Sequence, residues 1–169
     1  MSSDLTANWQ DHHIEGYARA ALERGQNGHF SAPLISHIED NLYVGGCIGG
    51  VRLDDDWQTV VSLYKWERYA LGPDTERVEV TMYDAGEVPD VDQLHELADT
   101  VSAALDRGGK VLVHCQAGLN RSNLVTALAL IKRGRSPEDA IALLREKRSP
   151  VVLCNAAFEA WLLDSEVAR

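Results

Sequence analysis

The chain has 169 residues, 45% of them hydrophobic, enough for one domain with a buried core and no disulfide support. Sixteen Lys+Arg against 26 Asp+Glu leave a formal charge of −10, so a broad nucleic-acid surface is not expected. Cys47, Cys115 and Cys154 form neither a disulfide framework nor a zinc pattern, no apolar run reaches a bilayer span, and residues 1–13 lack the order of a secretory signal; a reducing cytoplasm and no stable membrane insertion are expected.

In chain order, residues 1–30 come first and are the least regular. Ile14, Tyr17, Ala18, Ala21 and Leu22 recur at helical spacing, and Gly25, Asn27 and Gly28 stop the run. A helical N-terminal extension is expected there, packed on the domain or rimming its site. The domain proper is expected over residues 31–169. Residues 34–38 and 42–44 read as short strands around the Asp40-Asn41 turn, followed by a loop with Gly45-Gly46 and Gly49-Gly50. Asp54-Asp55-Asp56 lacks the continuation of a calcium loop and reads as a solvated helix start. Residues 59–63 read as a short, β-branched, buried strand, and residues 78–82 alternate like a strand with one covered face.

The second half is more regular. Val91, Leu94, Leu97, Ala98, Val101 and Leu105 form one apolar stripe, a helix stopped by Gly108-Gly109. Residues 110–113 read as the central strand, and the next helix starts near Ser122 and ends around Gly134. Ser136 as cap, Pro137 in the first turn and acidic Glu138-Asp139 open a helix to about Lys147. Asn155 caps a last helix. The sum is a single α/β domain with a central, largely parallel sheet flanked by helices.

The chemistry concentrates at His114-Cys115-Gln116-Ala117-Gly118-Leu119-Asn120-Arg121-Ser122, where a strand, a tight loop and a helix meet at a cysteine. Successive N–H groups from Gln116 to Arg121 can surround the oxygens of a phosphate, and Gly118 permits backbone geometry that a side chain hinders. The helix N-terminus adds partial positive charge and favours Cys115 as the thiolate. Arg121 offers a planar fork for two phosphate oxygens. Ser122 can donate to the sulfur when it leaves a phosphocysteine. His114, whose side chain should point away from its neighbour's, reads as a support for the loop. A buried structural cysteine beside a turn is the plainer reading, and the Cys–Gly–Arg spacing favours the oxyanion site over it.

These residues resemble the dual-specificity branch of the cysteine-dependent protein tyrosine phosphatases, whose signature HCxxGxxRS stands here as HCQAGLNRS. Asn41-Leu42-Tyr43-Val44-Gly45 and the stretch from Arg148-Ser149-Pro150 to Asn155-Ala156-Ala157-Phe158 extend the resemblance to about residues 36–163. It implies Cys115 as nucleophile, Arg121 as phosphate ligand, Ser122 as an aid to thiolate departure, and a phosphatase catalytic domain over residues 31–169. Asn120 stands where many of these enzymes have serine, and a GxNR arrangement also occurs in related RNA 5′-triphosphatases.

A leaving oxygen needs a proton, and Asp84, Glu87 and Asp90 lie between a strand and a helix. Asp84 precedes Cys115 by a separation similar to the family's and is the favoured acid; Asp90 also reads as a helix-start residue, and Glu87 has no spacing argument. Gly86 can let the segment move. No metal or cofactor is expected. The expected ligands are a phosphorylated protein or peptide, or phosphate and related oxyanions in the loop. RNA 5′ ends, nucleotides or phosphoinositides form a second class, and a phosphopeptide-binding module without turnover a third. No feature defines an oligomeric state. His12 and His13 read as part of a solvated terminus and His95 as exposed, His29 and His37 have no convincing partner, Trp57, Trp66 and Tyr69 read as packing residues rather than a binding rim, and Cys47 and Cys154 read as inert thiols, with a disulfide to Cys115 as the alternative.

Overall fold

In the computed structural model, which describes residues 8–164, 166 and 167, a five-stranded sheet carries the site. Its strands are β3 (Ile35–Glu39), β4 (Leu42–Gly45), β5 (Trp57–Ser62), β6 (Glu76–Glu79) and β7 (Lys110–His114). The order is β3-β4-β7-β5-β6, with β3 antiparallel to β4 and the other pairings parallel. β7 is therefore central. Its run Val111-Leu112-Val113 is fully buried because both faces are covered, as the continuous apolar pattern requires.

The two faces are covered differently. Val111 and Val113 point into a core shared with α2 (Val91–Asp106), α3 (Arg121–Lys132), α4 (Pro137–Lys147) and α5 (Ala156–Leu163). Leu112 points the other way, into a smaller core with Trp9, Leu34, Val51, Leu53, Trp57 and Tyr69. Loops, not helices, supply most of that second cover. Asp54-Asp55-Asp56 belongs to it: these residues turn directly into β5, so no helix starts there. The helix caps follow their chemistry. Asp90 accepts from the amides of Asp92 and Gln93, Ser136 from Asp139, and Asn155 from Ala157 and Phe158.

The N-terminal region departs from the helical expectation. Residues His13–Tyr17 form β1, Arg19–Glu23 a short helix α1, and His29–Pro33 form β2, antiparallel to β1. Gly16 disfavours a continuous helix and pairs with Phe30, whose ring lies 3.4 Å from where a Cβ at Gly16 would sit. Ala18 and Ala21 enter the main core and Ile14 packs against it, so the helical spacing is the trace of a strand and a helix burying one side each. The expected boundary at residues 30 and 31 falls inside β2. β6 begins two residues earlier than expected and ends at Glu79, because it is an edge strand with only β5 to pair with.

This hairpin is pinned at both ends. At one end Ile14 covers Gly46 so closely that a Cβ there would lie 2.2 Å from Ile14 Cδ1 and 2.6 Å from the Gln116 carbonyl. At the other, Arg24 donates to Glu159 at 2.8 Å and to the Leu153 carbonyl at 3.2 Å. Burial alone would raise Glu159, yet the guanidinium groups of Arg24 and Arg145 hold it below the usual carboxylate range. Among the described residues, no helix is long and apolar enough to cross a membrane.

Candidate active site

Residues 115–120 connect the end of β7 to the start of α3 at the C-terminal edge of the parallel strands, where open α/β sheets bind ligands. Every carbonyl of this loop is bound from behind. Cys115 O accepts from His114 Nδ1 (3.2 Å) and Gln116 O from the Cys47 amide (2.9 Å). Ala117 O accepts from Arg148 Nη2 (2.9 Å), and Gly118 O from Arg148 Nε (2.7 Å) and Asn123 Nδ2 (2.8 Å). Leu119 O accepts from Asn123 Nδ2 (3.0 Å) and the Leu153 amide (2.9 Å), and Asn120 O from the Leu124 amide (2.8 Å). Among the described residues, the amides of residues 116–120 have no acceptor in the protein. Such a ring of free N–H groups at a helix N-terminus suits an oxyanion.

Arg148 is the brace of the loop, and its role was not legible in the sequence beyond its place in the family-like stretch. It also donates to Pro33 O and Ser36 Oγ, joining the loop to β2 and β3. Burial lowers it to about 10, which leaves it charged at neutral pH. Gly118 has φ +74°, and a Cβ there would meet Arg148 Nη2 and the Gly45 carbonyl carbon at 2.6 Å, so both conformation and space require glycine.

Cys115 is 2% exposed at the floor of the cleft, its sulfur 3.3 Å from Ser122 Oγ. As a thiol it donates to that hydroxyl; as a thiolate it accepts from it. His114 stands behind. Burial pushes it down from 6.5 to about 4, so it is neutral near pH 7. Its Nδ1 faces a carbonyl, which only accepts, so the proton sits on Nδ1. Nε2 then accepts from Ser62 Oγ at 2.7 Å. The Tyr69 ring edge packs on the imidazole at 5.1 Å, and its hydroxyl donates to Gly46 O. Tyr69 and Trp57 are buried, whereas Trp66 is 72% exposed and is not the packing residue expected. His95 is half-buried against Trp161 and beside Lys132 rather than free in solvent.

Arg121 donates through Nη1 to Met82 O (3.1 Å), lies over the Tyr64 ring, and keeps a buried Nε without a partner. Asp84 stands on the same upstream segment and lines the cleft. Its Oδ2 accepts from Asn120 Nδ2 (2.9 Å) and its Oδ1 from Asn155 Nδ2 (2.7 Å). Asp90 is engaged as the α2 cap, and Glu87 lies outside the cleft, so of these three carboxylates Asp84 alone reaches it. All three cysteines are free thiols; burial raises Cys47 to about 12 and raises Cys154 also.

The cleft has a volume of about 580 Å³. Tyr17, Ala18, Arg19 and Phe30 of the hairpin form one wall; Asp84, Gly86 and Asn155 stand in the rest of its lining. Arg19 and Arg121 are its only basic side chains among the described residues.

Residues 58–168 match the family described as dual specificity phosphatase, catalytic domain. The protein named "Putative tyrosine phosphatase 123R" of Invertebrate iridescent virus 6 is 30% identical over 134 residues, 74% of this chain and 92% of the viral one. Protein tyrosine phosphatase type IVA 3 of Bos taurus is 54% identical over 43 residues, only 25% of either chain. Human DUSP28 superposes with a TM-score of 0.67 over 79% of this chain and 94% of that one at 20% identity, a likeness of fold. The chain belongs to the dual-specificity family of cysteine-dependent phosphatases. Membership of that family supports a cysteine-type phosphatase mechanism.

Proposed function

We propose that this protein hydrolyses phosphotyrosyl side chains through a phosphocysteine at Cys115. The observation that carries the reading is the loop itself: its carbonyls are bound from behind, its amides are free, and a cysteine sulfur lies at its floor. The amides and the Arg121 guanidinium match the charge on the three non-bridging oxygens, which is the main demand of phosphoryl transfer. Cys115 Sγ forms a bond to phosphorus as the P–O bond to the leaving oxygen breaks, and Asp84 gives that oxygen its proton. Water then attacks phosphorus and loses its proton to Asp84. The S–P bond breaks, and Ser122 donates to the departing thiolate.

Two features favour a tyrosyl ester. The hairpin lines one side of the cleft with Tyr17, Ala18 and Phe30, side chains whose apolar character suits a phenyl ring. The cleft's two basic side chains suit a single phosphate rather than a polyphosphate or an inositide, which agrees with the charge of −10. The test is hydrolysis of matched phosphotyrosine and phosphothreonine peptides by wild type and by Tyr17→Ala and Phe30→Ala. The wild type should prefer phosphotyrosine, and loss of a wall residue should reduce that ratio by about tenfold, as expected for one pocket contact. Equal kcat/KM on both peptides in the wild type would refute the tyrosyl assignment while leaving the phosphatase chemistry intact.

A further inference from the structure

The residue before Arg121 has an unusual allegiance. Asn120 is the N-cap of α3, a place where asparagine ordinarily turns its side chain onto the helix's own amides. Here it makes no cap hydrogen bond. Its Oδ1 instead accepts from the Asn155 amide at 2.9 Å, which fixes the amide orientation and directs Nδ2 to Asp84 Oδ2. Asn155 mirrors it. Its Oδ1 caps α5, so its Nδ2 faces Asp84 Oδ1 and the Ala85 carbonyl, both at 2.7 Å. Arg121 holds the same segment two residues upstream, at Met82 O.

We infer that Asn120 and Asn155 are positioning residues that hold the Asp84 carboxyl beside the phosphate loop as proton donor and acceptor. The inference rests on the proposed role of Asp84 and deepens it. The two amides use one lone pair on each carboxyl oxygen and leave the other for the proton that moves to or from the reacting oxygen. The segment has no regular secondary structure between β6 and α2, so no ladder or helix of its own fixes the carboxyl. The side chains of Asn120 and Asn155 set it from the loop and from α5. A serine at position 120 keeps the loop amide but is too short to span to Asp84, so the arrangement depends on the asparagine.

The experiment is a leaving-group series. kcat and KM are measured for aryl phosphates from acidic to weakly acidic phenols, with wild type, Asn120→Ser, Asn155→Ser and Asp84→Asn. Serine at 155 retains a capping oxygen and loses the donor to Asp84. Proton donation matters most for the weakly acidic phenols, and general acid catalysis contributes about 10²–10⁴-fold. Each Asn→Ser variant should therefore lose about tenfold or more in kcat/KM, which reports formation of the phosphocysteine, on phenyl phosphate than on the most acidic aryl ester. Combined with Asp84→Asn, neither should add a further loss that depends on the leaving group. Inhibition by inorganic phosphate should persist, which shows the loop intact. A loss uniform across the series, or one that adds fully to Asp84→Asn, overturns the positioning role. A flat profile for Asp84→Asn itself overturns the acid assignment, a separate and recognisable outcome.

Discussion

Two segments meet over Cys115 and are held in opposite ways. The loop after β7, residues 115–120, is bound at each carbonyl by donors behind it, several of them buried side chains. The acid segment, residues 82–90, has no strand or helix before α2, exposes Tyr83 at 65%, and is tied down by three side chains of other elements. One is rigid because its backbone polar groups have no alternative in the interior. The other is directed by side-chain amides while its own backbone stays near water. An anion site needs fixed dipoles, whereas a proton donor must be aimed and still admit substrate and release product.

The largest test removes the proposed nucleophile. Cys115→Ser should lose about 10⁴-fold or more in turnover while still binding inorganic phosphate, because the amides remain. Turnover near the wild-type rate in this variant would falsify the phosphocysteine step. On the acid segment, Asp84→Asn should cost about 10²-fold or more on weakly acidic leaving groups and leave the urea midpoint almost unchanged.

Arg148→Met strikes the rigid segment from behind. It leaves carbonyls of the loop and of β2 without their donor and should cost about 4 kcal/mol in urea unfolding. It should also weaken phosphate binding. A stable variant with intact binding would show that the loop holds its shape without the brace.

His114 makes the smallest and most graded test. Its native value is depressed from 6.5 to about 4 by burial, so it favours folding by staying neutral. Above pH 6.5 neither folded nor unfolded chain protonates it, and its contribution is complete. As pH falls from 6.5 toward 4 the unfolded chain takes a proton that the native state refuses, and stability drops by up to about 3 kcal/mol. Below about 4 the native state protonates too and the loss levels off. Urea unfolding of wild type and His114→Asn from pH 7 to 4 should show the difference between them shrinking through that window; a constant difference would mean that His114 does not titrate as described.

Much of this was legible in the chain, and the limit has a physical form. The loop of residues 115–120 was readable because its pattern is local: the cysteine, glycine and arginine lie within seven residues, and the free amides belong to the same run. The helices were readable because apolar spacing and capping residues act within a turn or two, as Asp90, Ser136 and Asn155 show. The donors behind the loop were not, because Arg148 reaches across 30 and 31 positions to Gly118 and Ala117 and 115 to Pro33. The N-terminal hairpin misled because Ile14, Ala18 and Ala21 satisfy helical spacing while strand pairing with residues 29–33 decides the backbone.

By itself, then, the sequence determined the α/β class, the order of its later helices and a cysteine in a tight strand-to-helix loop, all set by interactions between near neighbours. Tertiary structure alone decided that the Asn120 side chain turns to Asp84 rather than to its own helix, and that residues 13–33 build a wall. Those outcomes depend on partners distant in the chain, and no local pattern of residues records where the fold will bring them.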